Sequence, residues 1–321
     1  MGTLLKVEGL STEFNLPEGR LKAIEGIGLE LCDGEAMGLV GESGCGKSVT
    51  ALSIMRLILP PGRIVEGQVY FKGRDLLGLA EKEIEGVRGK ELSMVFQEPL
   101  TSLNPVFTIG YQIEEVVKKH LGLRGKEARE KVLDMLTLVG IPKPEERLFS
   151  YPHQFSGGMR QRLMIAMALS CHPSLLLADE PTTALDVTIQ AQILDLLEGL
   201  KKRLGLAILF ITHDLGIVAR LTEKLSIMYA GEIIEYGPTR EIFKKKEKHP
   251  YTQGLLDSIP RLREKRFPLK TIRGQVPEML NPPSGCRFHP RCPLVMDICS
   301  KERPPQVTLG DGHWARCHYY R

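Results

Sequence analysis

The stretch GESGCGKS at 41–48 constrains this chain more than any other part of it. It matches G-x-x-x-x-G-K-[ST], and it follows an apolar, strand-like run (EAMGLVG) and precedes a helical one (VTALSIMRLIL). Glycines 41, 44 and 46 let the backbone curl until successive N–H groups face inward. The following helix adds its positive end, so the segment is a ready anion site. The pattern assigns nucleotide binding to Gly41, Ser43, Gly44, Cys45, Gly46, Lys47, Ser48 and Val49. Lys47 would reach the β- and γ-phosphates of ATP and Ser48 would ligate Mg²⁺. The competing reading is a glycine-rich turn without ligand. Cys45 reads as a small loop residue and not as a reactive thiol.

A loop that holds triphosphate needs a carboxylate near the metal. LLLADE at 175–180 supplies one, as an apolar strand ending in Asp179 and Glu180. At the carboxyl end of a parallel strand Asp179 would face the Mg²⁺ shell. Glu180, one residue on, could polarise an attacking water. Read alone, the stretch is a strand followed by an acidic helix start.

The remaining pattern fits an α/β chain. Residues 4–40 alternate like short, mostly antiparallel strands with glycine punctuation, and GQVYFKG (67–73) and ELSMVFQ (91–97) add two more. From Thr108 to about Leu169 the apolar period is helical. A βαβ alternation follows through SLLLAD, VTIQAQILDLLEGLKKRLG, AILFIT and LGIVARL, and then KLSIMYAG and EIIEYG as two short strands. A helix around TQGLLDSI leads to a basic linker, PRLREKRFPLK, and a final segment rich in Pro, Cys and His, while KKKEK at 244–248 reads as a solvated helix end. Net charge is +4 over 321 residues, too weak to imply a nucleic-acid surface. No apolar run approaches a membrane span, and the start lacks the basic and apolar regions of a signal peptide, so a reducing compartment is expected.

Taken together, the segments over residues 1 to about 260 resemble the ATP-binding subunits of ABC transporters. FSGGMRQR (155–162) looks like the family signature L-S-G-G-Q, with Met159 in place of Gln. VFQEP resembles the Q-loop with Gln97 sensing metal and water, TALD the D-loop with Asp186, and ITHD the switch with His213 on the γ-phosphate. Ser156, Gly157 and Gly158 retain what a γ-phosphate contact needs, and Phe14 is the candidate adenine-stacking ring, with a core role nearly as good a reading. The resemblance implies a P-loop NTPase (RecA-like) core with an antiparallel β subdomain and a helical subdomain, over 1–258, and a small Cys/Pro-rich extension over 259–321. It implies catalysis by Glu180, His213 and Gln97, and Mg²⁺ held by Ser48, Gln97 and Asp179. It also implies a head-to-tail dimer with itself or a second homologous ATPase, two transmembrane permease subunits, an extracellular solute-binding protein acting indirectly, and no nucleic acid. The location implied is peripheral, on the cytoplasmic face of the cell membrane.

HPYTQGLLDSIP, QEPLTSLNPVFTIG, SGGMRQRLMIAMAL and PPSGCRFHPRCP narrow the resemblance to dipeptide/oligopeptide importers, with nickel importers of the same group sharing these features. A GTPase would need an N/T-K-x-D motif, which is missing. Coiled-coil chromosome-maintenance ATPases need hundreds of residues between Lys47 and Ser156, where 156 − 47 leaves 109. A DNA-repair ABC ATPase with cysteine-bound zinc would explain the cysteines but should carry a basic duplex-binding face.

Cys286, Cys292, Cys299 and Cys317 are spaced C-x₅-C-x₆-C-x₁₇-C. No tight zinc knuckle is present. Looser spacing and the Cys292–Pro293 dipeptide suit an iron–sulfur site, so a [4Fe–4S] cluster is expected, with zinc as the alternative using His289, His313 or His318, and free thiols as the plainest option.

Overall fold

The computed structural model describes residues 2–98, 102–183, 185–259 and 271–321. The basic linker at 260–270 lies outside them, as do residues 99–101 of the Q-loop segment and Ala184 of the TALD segment. In chain order the strands are β1 (Thr3–Leu16), β2 (Gly19–Cys32), β3 (Ala36–Val40), β4 (Gly62–Phe71), β5 (Arg74–Asp75), β6 (Leu92–Val95), β7 (Leu175–Asp179), β8 (Ala207–Thr212), β9 (Lys224–Tyr229), β10 (Glu232–Pro238), β11 (Gln306–Gly310) and β12 (His313–Arg316). The helices used below are α1 (Lys47–Ile54), α2 (Ile109–Leu121), α3 (Gly125–Leu138), α4 (Gly157–Leu169), α5 (Val187–Leu204), α6 (Leu215–Leu221) and α7 (Pro250–Asp257).

The chain divides into two compact units. The first is built mainly from Gly78–Phe210. In it β6 runs parallel to β7, with Leu92 opposite Leu175 and Val95 opposite Ala178. Every residue of β7 is buried, which is why it reads as an unbroken apolar run and not as an alternating one. Helix α5 starts on Asp186, whose carboxylate accepts the N–H groups of Thr188 and Ile189 at 3.1 and 3.0 Å. It stops at Gly205, which takes a φ of 63° after Lys201, Lys202 and Arg203 in the last turn.

The second unit contains Leu5–Leu31, Ala36–Leu77 and Ile211–Arg321. One of its sheets is antiparallel, in the order β2-β1-β4-β5. Its other strands run β3-β9-β10-β12-β11, with β3 and β9 parallel and the rest antiparallel. A buried cluster of Tyr229, Tyr251, Phe288 and Met279 joins β9, α7 and the C-terminal segment.

Four expectations change. β1 and β2 are 14 residues each, where glycines suggested short strands. Gly9 instead takes a φ of 59° at a register shift against β4, a bulge inside a continuing strand. Helix α1 ends at Ile54 and does not reach Leu59, because Arg56 turns left-handed (φ 51°) and Pro60 and Pro61 follow. The run 244–248 is not wholly solvated: Lys248 is 5% exposed, and its N–H donates to the Tyr320 hydroxyl at 3.0 Å. Finally, the sequence assigns no strand to the last segment, yet β12 pairs with β10, Glu235 facing Ala315 and Tyr236 facing Trp314. That edge is sealed by a buried polar knot. Glu235 accepts from the His249 N–H at 3.1 Å and lies 2.8 Å from His313 Nε2, with both side chains fully buried.

Candidate functional site

In the second unit the phosphate-loop pattern folds as its residue types require. β3 is wholly buried and is followed by Gly41, where a Cβ would sit 2.2 Å from the Met228 carbonyl oxygen. Gly46 caps α1 at φ 106°, and a Cβ there would meet the Ala23 carbonyl at 2.7 Å. Both positions therefore exclude any side chain. Gly44 (φ 78°) stands beside Ser43 at the exposed crest of the loop. No side chain caps the first turn of α1, so its leading amides are left to an external acceptor. Lys47 is 5% exposed and donates to the carbonyls of Gly41 and Glu42 at 2.8 and 2.9 Å. Ser48 and Val49 are half-buried just inside the helix. Burial pushes the Cys45 thiol up from its ordinary pKa, consistent with an unreactive role. Phe14 is half-buried on β1, and its ring covers Gly62 on β4, where a Cβ would lie 2.5 Å from the ring edge. His213 is exposed just after β8, followed by Asp214, which caps α6 by accepting the Gly216 N–H at 2.7 Å.

The first unit holds the acidic group. β7 delivers Asp179, 4% exposed, and the chain then turns at Glu180 with φ 44°. A left-handed glutamate costs on the order of 1–3 kcal/mol and persists where its surroundings fix it. Those surroundings are visible: its carboxylate accepts from Thr183 Oγ1 at 2.7 Å and from Gln97 Nε2 at 3.3 Å. Gln97 and Glu180, 83 positions apart, are thus brought together. Ser156 caps α4, accepting the Met159 N–H at 3.4 Å. Gly158 is needed for packing, since a Cβ there would lie 2.4 Å from Ile189 Cγ2. Ile189 is also held by Asp186, so the SGG turn and the TALD turn share one contact residue, which no sequence signal marks.

Sequence reasoning missed three residues at the phosphate loop. The Glu42 N–H donates to the Tyr251 hydroxyl at 3.0 Å. The Glu42 carboxylate receives a two-pronged bond from Arg291, at 2.6 and 3.0 Å. Glu42 sat at an "x" of the motif, and Tyr251 and Arg291 lie more than two hundred residues away, so spacing carried no hint of them. Nearby, Arg287 bonds the Ala230 carbonyl and the Glu25 carboxylate.

The four C-terminal cysteines are all free of disulfides. Burial, and then the neighbouring thiols Cys299, Cys292 and Cys317, push Cys286 up to about 12. Burial, then Cys292 and Cys299, push Cys317 up to about 11. The Cys286 N–H donates to the Cys299 carbonyl at 2.8 Å. The thiols thus lie within electrostatic reach of one another. Among the described residues, however, no three His, Cys, Asp or Glu side chains converge as a single bound ion requires.

The fold and this loop define an ATP-binding cassette. Solved relatives agree: a dimeric cassette in a post-hydrolysis state with ADP and Pi bound aligns with a TM-score of 0.66 and 28% identity, over 74% of this chain and 99% of that one. The cbiO1 protein of Clostridium perfringens, part of an ABC transporter complex, aligns at 0.65 and 28% over 77% and 93%. The ABC transporter family model matches residues 24–183, and that of the oligopeptide/dipeptide transporter C-terminal region matches 234–299. The dipeptide transport ATP-binding protein DppD of Bacillus subtilis is 48% identical over 99% of this chain and 95% of its own length. The oligopeptide transport ATP-binding protein OppD of the same organism is 49% identical over 98% and 88%, and DppD of Escherichia coli 47% over 98% and 96%. The chain belongs to the ABC transporter family of ATP-binding proteins and is an ATPase of the dipeptide/oligopeptide transport group. Among the described residues no helix is long and apolar enough to cross a membrane.

Proposed function

We propose that this chain powers import of dipeptides or oligopeptides by ATP-driven closing and opening of a head-to-tail dimer. The observation that carries the reading is its end-to-end similarity to peptide-transport ATP-binding proteins, through both the cassette and the C-terminal region. In this reading residues 1–258 are the cassette and 259–321 the extension. Gly41, Ser43, Gly44, Cys45, Gly46, Lys47, Ser48 and Val49 cradle the phosphates, Phe14 stacks on adenine, and Ser48, Gln97 and Asp179 hold Mg²⁺. Mg²⁺ neutralises charge on the β- and γ-phosphates when bound. Glu180 takes a proton from the attacking water, with Gln97 and Thr183 orienting its carboxylate, and His213 meets the γ-phosphate. Ser156, Gly157, Gly158 and Asp186 serve the opposing subunit's nucleotide.

The partners are two permease subunits, a second copy or a homologous ATPase, and a solute-binding protein on the far side of the membrane. The chain then works at the cytoplasmic face. Phe107 and Tyr111, stacked 4.9 Å apart, are exposed with Phe149 beside a cleft of about 490 Å³ between α2 and α3. Such an exposed aromatic rim suits a permease loop. Copurified with its permeases, the complex should raise its ATP hydrolysis when peptide-loaded solute-binding protein is added. Stimulation by nickel and not by peptides would overturn the substrate. Lys47→Ala should abolish nucleotide binding in the same preparation, by removing the charge that faces the phosphates.

Cys286, Cys292, Cys299 and Cys317 would hold a [4Fe–4S] cluster in this reading. Zinc draws four thiolates onto one centre at about 2.3 Å. Bound, the cluster would staple a segment with few apolar residues of its own. Protein purified without oxygen should be brown, with iron and sulfide near one four-iron cluster per chain. Stoichiometric zinc without iron, from iron-replete cells, would reject the cluster.

A further inference from the structure

We infer that Arg291, a residue of the C-terminal segment, is a positioning residue for the nucleotide loop, acting through Glu42; the inference rests on the reading of residues 41–48 as the phosphate cradle. Arg291 and Glu42 meet as a planar fork on a carboxylate, the geometry that fixes orientation as well as distance. The arginine has no freedom to wander. Its side chain is 5% exposed, its Nε donates to the Arg273 carbonyl at 2.9 Å, and its guanidinium lies 5.8 Å from the Tyr229 ring centre. Glu42 is also gripped at its backbone by Tyr251. One residue of the loop is therefore held at both ends by the C-terminal third of the chain.

What is fixed there is passed directly to Lys47. Its amine is held by the carbonyls of Gly41 and Glu42, the two peptide units that flank the gripped residue. Peptide units are rigid planes, so setting those carbonyls also sets the amides of Glu42 and Ser43. Without the clamp, the half-buried Glu42 side chain is free to turn toward the exposed crest at Ser43 and Gly44. The lysine acceptors and the Ser43 amide then lose their common orientation. Anion binding by backbone amides depends on that preorganisation.

The test is equilibrium binding of Mg-ATP to the full-length chain purified without oxygen, with metal content and melting temperature measured for each variant. Arg291→Ala should weaken binding about tenfold or more, as expected for losing a charged hydrogen-bonding partner. Glu42→Ala should do the same, and the double variant should be no worse than either single one. Arg291→Lys should recover part of the affinity. Arg303→Ala removes ion pairs to Glu25 and Glu232 without touching the loop, so it should leave affinity unchanged. If Arg291→Ala does not fold, Glu42→Gln, which keeps side-chain volume and removes the charge, carries the same expectation. Wild-type affinity in Arg291→Ala or Glu42→Gln, or losses that multiply in the double variant, would overturn the inference. Undiminished binding by Lys47→Ala would instead overturn the reading of the loop itself.

Discussion

Glu180→Gln should leave Mg-ATP binding intact and slow single-turnover hydrolysis by about 10²–10⁴-fold, the usual cost of losing a general base. The amide keeps the length of the side chain and its bond from Thr183, so the turn at Glu180 should survive. What is lost is the ability to accept a proton from water. The left-handed backbone sharpens the expectation, because Glu180 is held there by Thr183 and Gln97 despite the strain. Gln97→Ala should give a milder loss, since it removes one bond that orients Glu180 and one proposed Mg²⁺ ligand but leaves the Glu180 carboxylate in place. Hydrolysis by Glu180→Gln near the wild-type rate would remove Glu180 from the role.

The largest expected effect on stability lies elsewhere, at Glu235. Replacing it by Ala strips His313 and the His249 N–H of their acceptor in a region where Glu235 and His313 are both wholly buried. Leaving two buried N–H groups without their acceptor costs about 1–3 kcal/mol each. That is a large share of the roughly 5–15 kcal/mol that holds a typical domain together. Equilibrium denaturation should show it as a lower midpoint, and a loss below about 1 kcal/mol would mean that the knot contributes little. Because Glu235 joins β10, α7 and β12, its loss should free residues 306–316 first, which hydrogen exchange would detect.

The cassette was legible because its chemistry is local. Gly41 to Ser48 and the LLLADE strand are each contiguous, and although each has a plain reading alone, the two together have few alternative uses. The order of Lys47, Gln97, Ser156, Glu180 and His213 along the chain reinforced each piece. The C-terminal third was not legible in this way. HPYTQ and PPSGCRFHPRCP indicated the importer group, but neither indicates that Tyr251 and Arg291 reach Glu42. A long-range ion pair leaves no periodicity and no fixed spacing. β12 was missed because HWAR is four residues long and its alternation is too short to register. Gly9 misled in the opposite direction: it looked like the end of a strand and turned out to be a bulge within one.

The pairing of β10 with β12 also bears on how the chain is made. β10 ends at Pro238 and β12 at Arg316, 316 − 238 = 78 residues later. At 5–20 residues per second, a ribosome takes about 4–16 s to make that stretch. For those seconds β10 is an open edge, with amides and carbonyls available to any neighbouring nascent chain. Glu235 is at that time an acidic side chain in the middle of an edge strand, one of the devices that discourage edge-to-edge pairing. The same carboxylate that anchors the finished sheet through His313 thus guards the unfinished one until its proper partner strand emerges.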